Sequence, residues 1–217
     1  MLTASIIDAV IAYLIGSIMS SVILTKKMCG FDVRDKGSGN AGSTNVLRTA
    51  GAKVAILTLI CDVLKGVIAV AIAIIIGLIL KGSEVEKAVL VEIAGLCVVL
   101  GHTFPIFFKF KGWKGVATSL GVLLMFNWKI GLICLVFALL FMAVSKIVSL
   151  GSIAAAVLFP VLCIFLKDSY IVGDSSARFS YIVFAFLLAA IVIFNHRSNI
   201  QRLAKGQENK LNFHKNK

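Results

Sequence analysis

Long apolar runs broken by short polar stretches recur along the whole chain. A membrane-crossing helix needs about 20 mostly apolar residues, fewer where neighbouring protein covers part of it. Ile6 to Thr25 meets that length and predicts a first span, followed by a basic loop from Lys26 to Lys53. Val54 to Leu80 predicts a second, apolar except for Asp62 and Lys65, and the polar stretch Lys81 to Lys87 turns the chain back. Ala88 to Leu100 predicts a third, broken near Gly101. The mixed stretch GHTFPIFFKFKGWKGVATSLG, starting at Gly101, carries Pro105 and four glycines and leads into a short apolar run ending at Phe126. Gly131 to Val144, Ile153 to Leu166 and Phe179 to Phe194 predict three more spans, separated by Ser145 to Ser152 and by Lys167 to Arg178. Asn195 to Lys217 is a basic tail. The pattern predicts an all-α integral membrane protein of about seven transmembrane helices, a single domain over residues 1–217, with the run ending at Phe126 as a short fourth span.

Composition supports this class: 59% hydrophobic residues, 15% charged residues and a mean hydropathy of +1.01 lie far from soluble usage. A net charge of +12 raises the question of nucleic acid, but the basic residues cluster between apolar runs and read instead as orientation signals. Of the 22 Lys and Arg, Lys81, Lys87, Lys129, Lys167 and Arg178 fall on one side, Lys65 lies in a span, and the other 16 share the opposite side. By the positive-inside rule those 16 are cytoplasmic, the N-terminus is outside and the C-terminus is cytoplasmic. All glycine-bearing polar stretches then meet on the cytoplasmic face. The N-terminus carries Asp8, without a basic region or small-residue cleavage site, so it reads as a span and not a removed signal peptide. Cys29, Cys61, Cys97, Cys134 and Cys163 are scattered, which points to small core residues and to no disulfide frame or metal site.

The first polar loop holds the densest chemistry. Lys36 to Arg48 reads KGSGNAGSTNVLR, in which Gly37, Gly39 and Gly42 alternate with Ser38, Asn40, Ser43, Thr44 and Asn45. Such a backbone turns tightly and aims several N–H and hydroxyl donors at one point, which suits a phosphate. The glycines satisfy G-x-G-x-x-G, but a membrane-length segment precedes them where a strand is required. Ser43 stands where a Walker A loop needs its lysine. An anion cradle remains, without the nucleotide.

A second stretch places Lys109, Lys111 and Lys114 around Gly112 and Gly115. Lysines often anchor span ends at an interface. The glycines favour an anion site, because they permit close backbone approach to a ligand and add nothing to anchoring. His102 reads equally as a core residue or a site residue. In the tail, His196 and Asn199 lie three apart on one helical face and can point together into a site, while the tail's charge also suits anionic lipid headgroups. Asp62 and Lys65, also three apart, read as a structural pair bracing the glycine loop in preference to a catalytic one. Glu92 is given no role. GSIMSSVIL from Gly16 and GSIAAAVLF from Gly151 are faintly alike, which small residues at helix interfaces explain. No serine elbow, metal-ligand cluster or loop carboxylate base is evident. An enzyme built this way binds two anions well, generates no nucleophile of its own, and suits an already activated substrate.

Taken together, KGSGNAGSTNVLR, GHTFPIFFKFKGWKGVAT and NHRSNIQRLAKGQE, with the shorter CDVLKG and VSLGS, resemble the bacterial acyl-phosphate-dependent glycerol-3-phosphate acyltransferase family in the right order over nearly the whole chain. The resemblance implies a seven-span enzyme of the bacterial cytoplasmic membrane, its site facing the cytoplasm. It would move a fatty acyl group from a long-chain acyl phosphate to the 1-hydroxyl of glycerol 3-phosphate, giving lysophosphatidic acid and phosphate. No cofactor, nucleic acid or obligate protein partner is implied; the acyl chain would lie between spans in membrane lipid. By position, Ser38, Lys114 and His196 carry over as catalytic residues. Asn40, Asn45, Arg48, His102, Lys111, Ser149 and Asn199 carry over as substrate ligands, with Lys111 and Lys114 forming a cationic clamp. A substrate phosphate would help accept the proton, with His102 or His196 as the competing base.

The sequence departs from the family at four places. Trp113 stands where the second motif has a glycine, Met19 to Ser21 replaces a proline-containing turn, Lys146 stands at an arginine position and Asn195 replaces a basic residue. A small organic-anion transporter with broken helices is the rival reading. It calls for polar residues at mid-membrane in several spans, and beyond Asp62, Lys65 and Glu92 there are few. A lipid-binding scaffold leaves the glycine and asparagine pattern unexplained.

Overall fold

The computed structural model describes residues 2–81, 83–166 and 177–210. Most of the expected loop from Lys167, and the tail beyond residue 210, lie outside the described residues. Every regular element among the described residues is helical: α1 (Leu2–Gly16), α2 (Ser20–Cys29), α3 (Ser43–Ala50), α4 (Ala52–Ile79), α5 (Glu84–Thr103), α6 (Val116–Phe126), α7 (Trp128–Ser145), α8 (Val148–Phe165), α9 (Arg178–Asn195) and α10 (Arg197–Ala204), with single 3₁₀ turns at Val33–Asp35 and Ile106–Phe108.

Among the described residues six segments are long and apolar enough to cross a membrane: α1 with α2, α4, α5, α7, α8 and α9. The expected short fourth span is α6, whose 11 residues reach about 16 Å against a hydrocarbon core of about 30 Å. Its carboxyl end is fixed by Asn127, which caps α7 by accepting from the Lys129 and Ile130 amides.

Helix ends differ from the apolar pattern where capping overrides it. α5 begins at Glu84, well before Ala88, because Ser83 and Glu86 form a reciprocal capping box. It runs through Gly101 and ends at Thr103, since Pro105 disfavours helix in the residue before it. α8 begins at Val148, so Ser149 and Ser152 are helical and not loop residues; Lys146, in the left-handed conformation at φ 58°, ends α7 and redirects the chain at once.

The first span breaks at residues 17–19 without a proline. The break frees the Ile18 carbonyl, which accepts from Lys65 Nζ at 3.1 Å, while Lys65 pairs with Asp62 at 3.0 Å and meets Nδ1 of His102. This buried cluster therefore braces the α1–α2 break and α5, not the glycine loop that the sequence suggested. Glu92, also buried, accepts from Ser180 of α9 at 3.0 Å.

The helices close on one another through small residues. A Cβ on Gly16 would meet the Val98 carbonyl, and one on Gly66 would meet the Thr118 carbonyl, so α1 lies directly on α5 and α4 on α6. Gly151 packs the same way on Ala138, which accounts for the likeness between the Gly16 and Gly151 stretches. The main core gathers Val70, Leu90, Val98, Val122, Phe159, Phe184 and Leu188 from α4, α5, α6, α8 and α9.

Candidate active site

The glycine loop folds around Asn45. Its Oδ1 accepts from the Ser38 amide at 3.0 Å, and its Nδ2 faces the carbonyls of Val33, Lys36 and Asn40 at 3.1, 3.0 and 2.9 Å. Gly37 must be glycine: φ is 62° and a Cβ would strike the Asn45 amide. With both amide N–H groups and one bond to Oδ1 spent on the loop, Asn45 shapes the cradle while it lines the cavity. Behind it, Asp32 takes two bonds from the Arg34 guanidinium and one contact from Lys26, which hold its carboxyl well below the usual range and fasten the loop's outer end.

Ser38, Asn40, Asn45 and Arg48 from this loop and α3 line a cavity of about 370 Å³. Ser43 and Thr44, at the amino end of α3, line it too. The cavity also takes His102, Lys114, Ser149, His196 and Asn199 from four segments distant in sequence, so nine of the ten expected residues share it. Lys111 is the exception. It lines a neighbouring cavity of about 290 Å³ with Arg197, while Lys114, Trp113, Asn40, Asn199 and Arg202 border both. Lys111 and Lys114 therefore share the second cavity, and only Lys114 also reaches the first; between them the backbone amides of Gly112 and Trp113 donate to the Thr103 and His102 carbonyls.

Trp113 occupies the space against Gly42, where a Cβ would fall on the indole, and its ring lies 5.0 Å from Lys114 Nζ. The indole thus attracts the ammonium by a cation–π contact while it lines both cavities. Burial pushes Lys114 down to about 8, countered in part by the Glu208 carboxylate.

The α9–α10 junction supplies the remaining polar groups. His196 is 1% exposed, and its Nδ1 lies 2.8 Å from the Val192 carbonyl. A carbonyl only accepts, so Nδ1 carries the proton and Nε2 remains an acceptor. Burial, then the nearby Lys114, pushes this imidazole down to about 4, so it is neutral at physiological pH. His102 has the opposite bias: Lys65 donates to its Nδ1, leaving the proton on Nε2.

One acid escaped the sequence reading. Gly206, at φ 67°, ends α10 in a left-handed turn that brings the chain back, and Glu208 accepts from Asn199 Nδ2 and from Arg202 Nε, both at 2.8 Å. Glu208 sits in the third motif, but only the fold carries it to the cavity wall. Because Nδ2 is engaged, Asn199 Oδ1 is fixed as the free atom; it is buried and has no partner among the described residues. The same holds for Ser149 Oγ and Ser119 Oγ, the latter also unforeseen. Buried polar atoms are rarely left unpaired, and three around one cavity mark a ligand site.

Below this polar mouth the cavity becomes apolar, running between α6, α7, α8 and α9 past Leu120, Leu135, Ala138, Ala155, Ala156 and Val192 to Phe159. A cationic, hydroxyl-bearing mouth over an apolar channel accommodates an anionic head with a hydrocarbon tail.

Residues 6–206 match the sequence profile described as glycerol-3-phosphate acyltransferase. Among curated relatives, the glycerol-3-phosphate acyltransferase of Clostridioides difficile (strain 630) is 43% identical over 206 residues, covering 95% of each chain. That of Thermoanaerobacter pseudethanolicus is 45% identical over 207 residues, covering 95% of this chain and 96% of the relative. The crystal structure of PlsY (YgiH), an integral membrane glycerol 3-phosphate acyltransferase, superposes in its glycerol 3-phosphate form with a TM-score of 0.78 at 35% identity, covering 96% of both chains. Its lysophosphatidic acid form gives 0.79 at 32% identity, over 96% of this chain and 95% of the other. With profile, relatives and fold agreeing over nearly its full length, this chain belongs to the glycerol-3-phosphate acyltransferase family of integral membrane proteins.

Proposed function

We propose that this chain transfers a fatty acyl group from acyl phosphate to the 1-hydroxyl of glycerol 3-phosphate, releasing lysophosphatidic acid and inorganic phosphate. The carrying observation is the cavity itself: a mouth bearing Arg48, Lys114 and Arg202 above an apolar channel that ends at Phe159. The relatives' names and the lysophosphatidic acid form of the neighbour support the acceptor and product. A mixed anhydride needs no covalent enzyme intermediate, which suits a mouth built of phosphate-binding cations, hydroxyls and loop amides.

In this reading the acyl chain lies in the channel, and its phosphate rests on the Ser38–Asn40 loop and Lys114. Arg48 and Ser149 hold the acceptor's phosphate. Asn199 Oδ1 can only accept, so it takes a hydrogen bond from a glycerol hydroxyl, which it cannot do from a phosphate oxygen. His196 Nε2 accepts from the attacking hydroxyl. The hydroxyl oxygen bonds to the acyl carbon, the carbon–oxygen bond to phosphate breaks, and the proton passes to the departing phosphate directly or through His196. Positioning and charge stabilisation supply the rate. The bacterial relatives and the basic loops around the mouth support a bacterial cytoplasmic membrane location with the site towards the cytoplasm. A transporter needs a path across the membrane, whereas the residues that line this cavity go no deeper than Phe159 on α8, Leu188 on α9 and Cys134 on α7.

Purified protein incubated with palmitoyl phosphate and glycerol 3-phosphate is expected to form lysophosphatidic acid, and to form none when palmitoyl-CoA replaces the acyl phosphate. Lack of product from acyl phosphate refutes the reading, and equal product from acyl-CoA refutes the donor. His196→Gln then tests the proton path: a loss of order 10³ in kcat with unchanged glycerol 3-phosphate binding rejects proton acceptance by the substrate phosphate alone.

A further inference from the structure

Three helices measure the depth of the apolar channel. On α8, Ser149 lines the mouth and Phe159 the far end, ten residues or about 15 Å apart. On α9, His196 and Leu188 bound it over about 12 Å, and on α7, Met142 and Cys134 do so over about 12 Å. An all-trans hydrocarbon advances about 1.25 Å per carbon, from a bond of about 1.5 Å and an angle of about 111°. The straight channel therefore takes about ten to twelve carbons.

Its end is rigid. Phe159 is 2% exposed and stands edge-on to Tyr181 and Phe184, at 6.3 and 6.4 Å between centroids. Phe126 stacks on both of those rings, at 5.7 and 4.6 Å, and none of the three lines the cavity. Phe159 cannot swing away without displacing this cluster, and Pro160 fixes the helix beside it.

We propose that Phe159 is the end stop of the acyl channel and sets the longest chain that lies straight within it, at about ten to twelve carbons. The proposal rests on the acyltransferase reading and names the part of the donor that the site measures. Ala155, one turn nearer the mouth on α8, sets the channel's width before the stop.

The test uses an equimolar mixture of decanoyl, dodecanoyl, tetradecanoyl and hexadecanoyl phosphate with glycerol 3-phosphate and the full chain in bilayer nanodiscs, the products being resolved by mass spectrometry. Each methylene that the stop denies an apolar contact costs about fourfold, and removal of the ring relieves about two of them. Phe159→Ala is therefore expected to raise the hexadecanoyl-to-dodecanoyl product ratio at least about tenfold. Ala155→Leu fills the channel without emptying the core and is expected to lower the dodecanoyl-to-decanoyl ratio at least about fourfold. Unreactive decyl to hexadecyl phosphates give a second readout through thermal stabilisation. The wild type is expected to reach its maximum at dodecyl phosphate and Phe159→Ala at a longer chain. Ratios and stabilisation profiles unchanged within about twofold in both variants overturn the end stop. If no donor yields product but the alkyl-phosphate profile still moves with Phe159, the channel assignment stands and the reaction fails.

Discussion

Asn45→Asp tests whether the glycine loop works as a preorganised cradle. The substitution keeps shape and Oδ1 but replaces the two N–H donors that serve the carbonyls of Val33, Lys36 and Asn40 with a second acceptor oxygen. Two hydrogen bonds are lost from a residue only 2% exposed, and the carbonyls then face a carboxylate. Each buried acceptor left without its donor costs about 1–3 kcal/mol, so the loop loses about 2–6 kcal/mol of its preference for the observed conformation. At about 1.4 kcal/mol per factor of ten, kcat/KM for glycerol 3-phosphate is expected to fall at least about 30-fold and by up to about 10⁴. The spans pack through the separate core of Val70, Leu90, Val98 and Phe184, so helical content and detergent-solubilised yield should be retained. The assay is lysophosphatidic acid formation at subsaturating glycerol 3-phosphate, with circular dichroism on the same preparation. A folded Asn45→Asp protein within threefold of wild type would refute the claim that this amide holds the anion site together.

Other consequences follow from the site's electrostatics and packing. Lys114, pushed down to about 8, loses its charge as pH rises through that value, so kcat/KM should fall above pH 8, well before an ordinary lysine titrates; a flat profile to pH 9.5 contradicts this. His196, at about 4, stays neutral throughout that range, so it should add no limb to the profile between pH 6 and 8. Trp113→Gly removes the ring 5.0 Å from the Lys114 ammonium and should lower kcat/KM by about two- to thirtyfold; a rise above about 30-fold would mean that the indole obstructs the site. Asp62→Asn leaves Lys65 buried beside His102 without its counter-charge and should destabilise the protein by about 3–5 kcal/mol, read as a lowered thermal midpoint in detergent.

Much of this protein is written locally. Apolar runs longer than a bilayer core dictate helices whatever surrounds them, because an unpaired backbone in lipid is too costly, so the all-helical membrane class is legible from residue order alone. That Ser38, Asn40, Arg48, Lys114, His196 and Asn199 gather at one cavity was legible too, since polar groups set among glycines between spans have few other uses. Trp113 shows the limit: its place in the second motif names no partner, while the fold sets its ring against Gly42 and 5.0 Å from Lys114 Nζ.

Tertiary structure decided how those groups divide their labour. Asn45 looks like Asn40 in the string, but only packing reveals that its amide is consumed by four backbone groups. Glu208 is an ordinary tail acid until Gly206 turns it onto Asn199 and Arg202, and of the two clamp lysines that share the second cavity only Lys114 also reaches the first. The channel and its aromatic floor come from four helices whose spacing depends on glycines meeting carbonyls across the bundle. Side-chain type fixes what a residue can donate, accept or exclude, which one chain segment suffices to state; which partner it finds depends on non-local distances, and those exist only once the helices have packed.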